Sequence, residues 1–333
     1  MKAIALISGG LDSTLAARLT KDLGVELVAL NTLSPFCLCN RRSSSGCAHG
    51  AGKVAKELGL KLISVNVSDE FIEIVKKPKY GYGSNMNPCI DCRILLFKKA
   101  RAAMEEEGAS FVITGEVLGQ RPMSQKLHTM RLIEKESGLT GLVVRPLSAQ
   151  VLEPTLPEEN GWVPRDRLLA INGRGRKEQF ALAHKFGIRD YPCPSGGCLL
   201  TDPEFSRRLK DIMLNGELNL REVMLLKLGR HFRLGKGVKL VVGRNEAENG
   251  LLESSAGMTD SLFYPGGDLA GPTSLLRGDC NPELIELSSR ITAYYCDLNG
   301  QKSANIYYRP AGGQESCLSV SPSDTGTLKP LRI

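Results

Sequence analysis

The chain has 333 residues, 42% hydrophobic and 24% charged, with a formal net charge of +7. That length accommodates two cored domains, and the composition excludes fibrous, disordered and membrane-spanning classes, so a cytoplasmic location with no membrane partner is expected. Ten cysteines, most of them in tight pairs in a chain with no export-signal pattern, read as metal or sulfur chemistry rather than a disulfide framework.

In chain order, the apolar run 3–7 reads as a buried strand that turns through Ser8-Gly9-Gly10-Leu11-Asp12-Ser13 into a helix over 13–23. Strands are predicted at 26–33 and 61–67, the end of a helix at 54–58, a helix at 90–107 and a strand at 111–115. A further strand is expected over 142–147 and a helix over 177–186. Strands alternating with helices argue for a parallel, doubly wound α/β sheet with its ligand beyond the carboxyl strand ends. The segment 191–201 carries Cys193 and Cys198 and should return to that mouth. From 203 to 310 short strands, such as 238–242 and 306–308, alternate with Gly, Asn and Pro turns, indicating an α+β domain. The predicted division is therefore 1–202, 203–310, and a flexible tail over 311–333 rich in Gly, Ser, Thr and Pro.

The turn at residues 8–13 is a phosphate cradle by chemistry. Glycines remove the Cβ atoms that would block close approach, and the free N–H groups of the new helix face an anion. No Gly-Lys-Ser/Thr follows, so a Walker A loop is excluded. The six residues resemble the signature of the PP-loop ATP pyrophosphatases. The resemblance implies an adenine nucleotide alpha hydrolase-like sheet, ATP bound at Ser8, Gly9, Gly10, Leu11, Asp12 and Ser13, and cleavage between the α and β phosphates. Asp12 would orient the loop or hold Mg²⁺. Gly115, after the strand at 111–115, would let adenine or ribose pack on backbone, and Arg121 could neutralise the pyrophosphate leaving group. Glu116 and Gln120 read as solvated loop residues, and Arg145 as an RNA-backbone contact or a surface residue.

Asn87-Pro88-Cys89-Ile90-Asp91-Cys92-Arg93 opens the helix at 90–107 with both sulfurs in its first turn, where helix-start N–H groups and Arg93 should favour thiolate. Behind a Ser-Gly-Gly-x-Asp-Ser loop this segment resembles the tRNA 2-thiouridine synthases, 4-thiouridine synthases and cluster-dependent tRNA thiolases. The likeness covers roughly the first 200 residues; Arg93 stands where the commonest version has Asn. It implies adenylation of a uridine carbonyl and displacement of AMP by sulfur, with tRNA and a sulfur donor, a persulfide carrier or hydrosulfide, as partners. Two uses of the thiols follow. In one, Cys89 forms a disulfide with a distal cysteine after sulfur transfer. In the other, which the retained Cys92 favours, Cys89, Cys92 and Cys198 hold a [4Fe-4S] cluster, with Cys193 the alternative third ligand.

Cys37, Cys39, Cys47 and His49 could supply a Cys₃His zinc site, or their loop could form a lid over the ATP mouth with Arg41 and Arg42 facing phosphate. Ten Lys/Arg against three acids between Arg207 and Arg244 suggest a strand with one wet basic face that tracks RNA phosphates. The segment 228–248 faintly resembles the RNA-binding domain of NFACT proteins. Two other functions stay open: a PP-loop enzyme of small-molecule metabolism, such as a nitrile-forming deazaguanine synthase or sulfur-transfer synthase, and a non-catalytic tRNA- or metal-binding protein.

Overall fold

Strand residues of alternating facing feed two separate cores in the first half of the chain. The structure is a computed structural model that describes residues 1–37, 46–189, 191, 197–267 and 269–333, the side chains of 46–49 excepted. Its contacts divide into two units, Met1–Thr201 and Asp202–Ile333.

The first unit runs β1 (Lys2–Leu6), α1 (Leu11–Asp22), β2 (Glu26–Leu33), α2 (Gly46–Glu57), β3 (Lys61–Asn66), α3 (Ser68–Lys76), α4 (Cys89–Glu106), β4 (Phe111–Thr114), α5 (Leu127–Ser137), β5 (Val143–Val144), α6 (Leu156–Glu159) and α7 (Lys177–Lys185). All five strands are parallel, in the order β3-β2-β1-β4-β5, with Ile4 opposite both Val28 and Val112. Because strand side chains alternate with period two, Ala3, Ala5, Leu27, Ala29, Phe111 and Ile113 line one face with Val54 and Ala55 of α2. Ile4, Leu6, Val28, Leu30 and Val112 line the other with Ile94, Phe97 and Ala100 of α4. Both faces are thus covered, which is why these strands read as continuous apolar runs. β5 is shorter than the predicted 142–147: Arg145 turns into a buried ion pair with Glu116 and Glu134, and Pro146 has no N–H to offer a ladder. Helices α3 and α5 add to the elements that the sequence pattern predicts.

The second unit runs α8 (Pro203–Asn215), α9 (Leu220–Leu225), β6 (Arg230–Gly235), β7 (Val238–Val242), α10 (Glu246–Ser255), β8 (Asp260–Pro265), β9 (Ser274–Arg277), α11 (Pro282–Tyr294), β10 (Ala304–Pro310), β11 (Ser316–Val320) and α12 (Thr325–Leu331). Its six strands form an antiparallel sheet in the order β11-β10-β8-β9-β7-β6. Ile291 and Ala293 of α11 cover one face with Phe232, Phe263 and Ile306; Leu225 of α9 and Leu252 of α10 cover the other with Val241 and Leu275.

Residues 311–333 are not the flexible tail expected from their composition. β11 pairs with β10 from Ala304↔Val320 to Tyr308↔Ser316. Asp324 caps α12 by accepting the Thr327 N–H at 2.9 Å, and buried Leu328 joins the core. The Gly, Ser and Pro residues supply the turn between β10 and β11 and the lead into the Asp324 cap rather than disorder. The predicted wet basic face of 230–239 also fails. Lys239 is 2% exposed and paired with Glu222 at 3.2 Å, and Arg233 is paired with Asp211.

Candidate functional site

In the first unit the strand order reverses at β1, whose neighbours β2 and β4 lie on opposite sides, so the loops leaving β1 and β4 flank a crevice at the carboxyl edge. Gly9 makes the β1–α1 turn at φ 75°, and a Cβ there would lie 2.7 Å from the Gly50 backbone of α2. Ser13 Oγ and Thr14 Oγ1 donate to the Gly10 carbonyl at 2.9 and 3.0 Å, and Ser8 Oγ lies 3.3 Å from Ser13 Oγ. These bonds tighten the turn without covering the helix start. α1 begins at Gly10 with no N-cap side-chain bond, so no side chain there satisfies its first N–H groups.

Gly115 follows β4 directly and packs against the start of α1; a Cβ there would lie 2.5 Å from the backbone of Asp12 and Ser13. Its observed role is therefore close packing against the loop. Asp12 is held from the other side: Gln120 Nε2 donates to its Oδ2 at 2.7 Å, Arg176 donates to the same oxygen, and Gln179 Nε2 donates to Gln120 Oε1 at 3.0 Å. Asp12 Oδ1 is buried and has no hydrogen-bond partner among the described residues. An orphaned carboxylate oxygen beside an open helix start fits a cation or a hydroxyl carried by the ligand. Gln120 is thus a strut rather than a solvated loop residue.

Glu116 and Arg145 are likewise internal. Glu116 is 2% exposed and sits 3.1 Å from Arg145 and 3.6 Å from Arg93, while Arg145 reaches Glu134 at 2.5 Å. Neither RNA contact nor surface exposure describes Arg145. Arg121 is exposed, within electrostatic reach of Arg93, Cys89, Asp12 and Glu116.

The sulfurs reach this edge through backbone pairing. Cys89 is the first residue of α4, whose start at Pro88 also lacks a side-chain cap, and Cys92 N donates to Pro88 O at 2.9 Å. Asp91 fixes the incoming chain by accepting the N–H groups of Lys79 and Tyr80 at 3.0 and 3.1 Å. The Cys198 segment is stitched on two sides. Leu199 N donates to Phe36 O at 2.8 Å, forming a Cys37↔Cys198 bridge, and Met86 N donates to Leu200 O at 3.0 Å. Cys92 accordingly feels Cys198 and Cys89, and Cys198 feels Cys89 and Cys37. Helix-start N–H groups and Arg93 do not prevail over burial. Burial pushes the free thiols of Cys92 and Cys198 up to about 12, against the downward pull of Arg93 on Cys92. They are thiols at neutral pH unless a cation compensates them.

Cys39 and Cys193 lie outside the described residues, as do Arg41, Arg42 and the side chains of Cys47 and His49. Of the proposed zinc set, Cys37 is the described side chain, and its backbone partner is Cys198. Among the described residues, no three His, Cys, Asp or Glu side chains converge where one metal ion could sit. A cubane requires no such convergence, because each thiolate binds its own iron. Sequence reasoning missed Arg176, although its signal is visible: Arg174-Gly175-Arg176 is a basic glycine turn opening α7.

Comparisons with known proteins follow the same division. Residues 1–151 match the family described as "Thiamine biosynthesis protein (ThiI)", and residues 229–330 match "NFACT protein RNA binding domain". The chain is 30% identical over 125 residues to tRNA-specific 2-thiouridylase MnmA 1 of Caldanaerobacter subterraneus subsp. tengcongensis, covering 34% of each protein. It is 25% identical over 237 residues to tRNA-specific 2-thiouridylase MnmA of Geobacter metallireducens, covering 65% of this chain and 60% of that protein. The chain thus spans less than two thirds of either relative. Among solved structures, a 4-thiouridine synthetase–RNA complex with bound ATP aligns with a TM-score of 0.39 at 22% identity, over 68% of this chain and 52% of the other. U34-tRNA thiolase NcsA from Methanococcus maripaludis with its [4Fe-4S] cluster aligns with a TM-score of 0.34 at 18% identity, over 68% and 70%.

Proposed function

We propose that the chain is an ATP-dependent tRNA sulfurtransferase that adenylates a uridine carbonyl oxygen and replaces it with sulfur. The observation that carries this reading is the juxtaposition of two uncapped helix starts at one sheet edge, one beside the orphaned Asp12 Oδ1 and one bearing Cys89. The matched relatives named as tRNA thiouridylases support the substrate class.

In this reading the N–H groups of Leu11, Asp12 and Ser13 bind the ATP phosphates, and Asp12 Oδ1 takes Mg²⁺. The uridine carbonyl oxygen attacks the α-phosphorus, the α–β bridging P–O bond breaks, and pyrophosphate leaves toward Arg121. A sulfur nucleophile then adds to the activated carbon, and the C–O bond breaks as AMP departs with the original oxygen. Adenylation is needed because a carbonyl oxygen is a poor leaving group until AMP carries it.

The half-buried donors Cys89, Cys92 and Cys198 fit a [4Fe-4S] cluster, whose positive iron would compensate the Cys92 and Cys198 thiols that burial otherwise keeps protonated. When bound, the cluster would supply a Lewis-acidic iron with an open position for hydrosulfide. Arg93, paired with Glu116 and close to Cys89 and Cys92, would balance the anionic sulfur set.

The test separates the two half-reactions. Purified anaerobically, the protein should catalyse tRNA-stimulated ATP–pyrophosphate exchange. Cys89→Ala and Cys198→Ala should retain the exchange while losing thionucleoside formation. Absence of exchange with any tRNA fraction would sink the reading, and an active, iron-free protein would remove the cluster from it.

A further inference from the structure

A cavity of about 430 Å³ opens in the second unit among α8, β6 and α12. Arg207, Arg230, Lys329 and Arg332 surround it, with buried Arg208 and His231 behind them. The ion pair found within this lining is Arg208–Glu204 at 3.5 Å; among the described residues, no carboxylate lies within 4.0 Å of the other four cations. Such a concentration of cations in a recess differs from the rest of this unit, where Lys239, Arg233 and Arg277 are each paired internally.

The recess is preorganised. The Arg230 guanidinium lies 4.5 Å over the Tyr295 ring and donates to the Gly243 carbonyl at 3.0 Å. The C-terminal residues are strapped to β6: Ile333 N donates to His231 O at 3.0 Å, and Arg332 bridges Phe232. Docking of α12 therefore sets where Lys329 and Arg332 stand.

His231 lies behind these cations. The ring is 1% exposed, and its Nε2 lies 2.7 Å from the Leu228 carbonyl, so Nε2 carries a hydrogen. Burial first, then Lys239 and Arg208, hold the imidazole well below its ordinary value, so it is neutral. Nδ1 is then a bare acceptor, and it has no partner among the described residues. A phosphate oxygen cannot satisfy an acceptor; an O–H can.

We infer that this cavity binds the ribose-phosphate of a single RNA strand, the 2′-hydroxyl donating to His231 Nδ1 and the phosphate taken by Arg207, Arg230, Lys329 and Arg332. The inference rests on the reading that RNA is the partner, but it concerns a site separate from the adenylating edge. A 2′-hydroxyl is what separates RNA from DNA at a given position on a protein surface.

The test is fluorescence anisotropy of the full chain with a labelled single-stranded oligoribonucleotide and its 2′-deoxy counterpart over a range of salt. The wild type should bind the deoxy strand about three- to tenfold more weakly, as expected for one missing neutral hydrogen bond. Arg207→Gln with Arg332→Gln, both at exposed positions, should weaken both strands about tenfold or more and reduce the salt slope by about 0.7 for each phosphate no longer neutralised. His231→Phe should lower RNA binding to the DNA level and leave DNA binding unchanged. Equal binding of RNA and DNA by the wild type, or rim variants with wild-type affinity and slope, would overturn the inference. If His231→Phe does not fold, the RNA-to-DNA ratio of the wild type decides alone. A wild type that binds no RNA overturns it too, and ATP–pyrophosphate exchange then reports whether the adenylating reading survives.

Discussion

The two units differ in how they close their helix starts. In the second unit α8, α9, α10, α11 and α12 begin at Asp202, Asn219, Asn245, Asn281 and Asp324, each accepting a helix N–H through its side chain. In the first unit α6 has a capping box at Thr155, whereas α1, α3, α4, α5 and α7 begin at Gly10, Val67, Pro88, Lys126 and Arg176 with no N-cap side-chain bond; of these, α1 and α4 carry the loop and the cysteines at the sheet edge. A helix start without a cap keeps its donors for something else. The first unit thus leaves helix-start N–H groups without a side-chain cap at the sheet edge, where the proposed function puts the ATP phosphates. The second satisfies its helix ends internally and concentrates surplus positive charge in side chains around one recess.

The contrast can be broken most severely inside the second unit. Glu222 accepts from both Lys239 and Arg277, and Glu222→Gln would leave a buried ammonium without its counter-charge. The expected cost is about 3–5 kcal/mol, read as a lower denaturation midpoint for this unit. ATP–pyrophosphate exchange by the first unit should persist wherever the second remains folded, and its loss at that point would show that the units do not act separately.

Next in size, Gly10→Asp would install the missing cap on α1. The backbone there is extended, at φ −82° and ψ 160°, and a Cβ would meet nothing closer than Ser8 Oγ at 3.4 Å, so folding should tolerate it. Exchange should fall by about 100-fold, equivalent to about 2.7 kcal/mol, because a carboxylate occupies the anion's place. Retained exchange would remove α1 as the phosphate site.

A pH effect follows from His231. Its folded value lies well below the ordinary 6.5, so below pH 6.5 the unfolded chain binds a proton that the folded ring refuses. Stability of the second unit should therefore fall as pH drops from 6.5 toward the folded value, by up to about 1.4 kcal/mol per pH unit from this group. Thermal unfolding of wild type and His231→Phe at about pH 5 and about pH 7, either side of the ordinary histidine value, checks it; equal pH slopes would contradict the buried neutral ring. The smallest expected change is Asn281→Ala, which should cost about 1 kcal/mol and leave exchange untouched, sharpening the distinction between a structural cap and an open one.

Much of the proposed adenylating edge was legible because its signals are local. Ser8 to Ser13 stand between an apolar run and a helix, and Cys89 and Cys92 share one helical turn. What the sequence concealed is pairing across distance. Gln120 and Arg176 meet at Asp12 from 108 and 164 residues further along the chain, and Arg145 reads as an ordinary cation until Glu116 and Glu134 are seen around it. The 207–244 charge excess concealed its distribution for the same reason: its sign is countable, but Asp211 and Glu222 neutralise Arg233 and Lys239 while Arg207 and Arg230 gather at one recess.

Period-two and period-3.6 patterning, and glycines where a Cβ would strike backbone, specified by themselves a parallel α/β unit with a glycine turn opening a helix at the sheet edge. These depend on neighbours a few residues away. Tertiary structure alone decided that Cys198 is stitched between Phe36 and Met86, that residues 311–333 fold onto β10 and β6, and that His231 keeps an unpartnered nitrogen beside four cations. Burial and ion pairing belong to groups that meet only once the chain has closed on itself, so a side chain's charge state and availability are not properties of its local sequence.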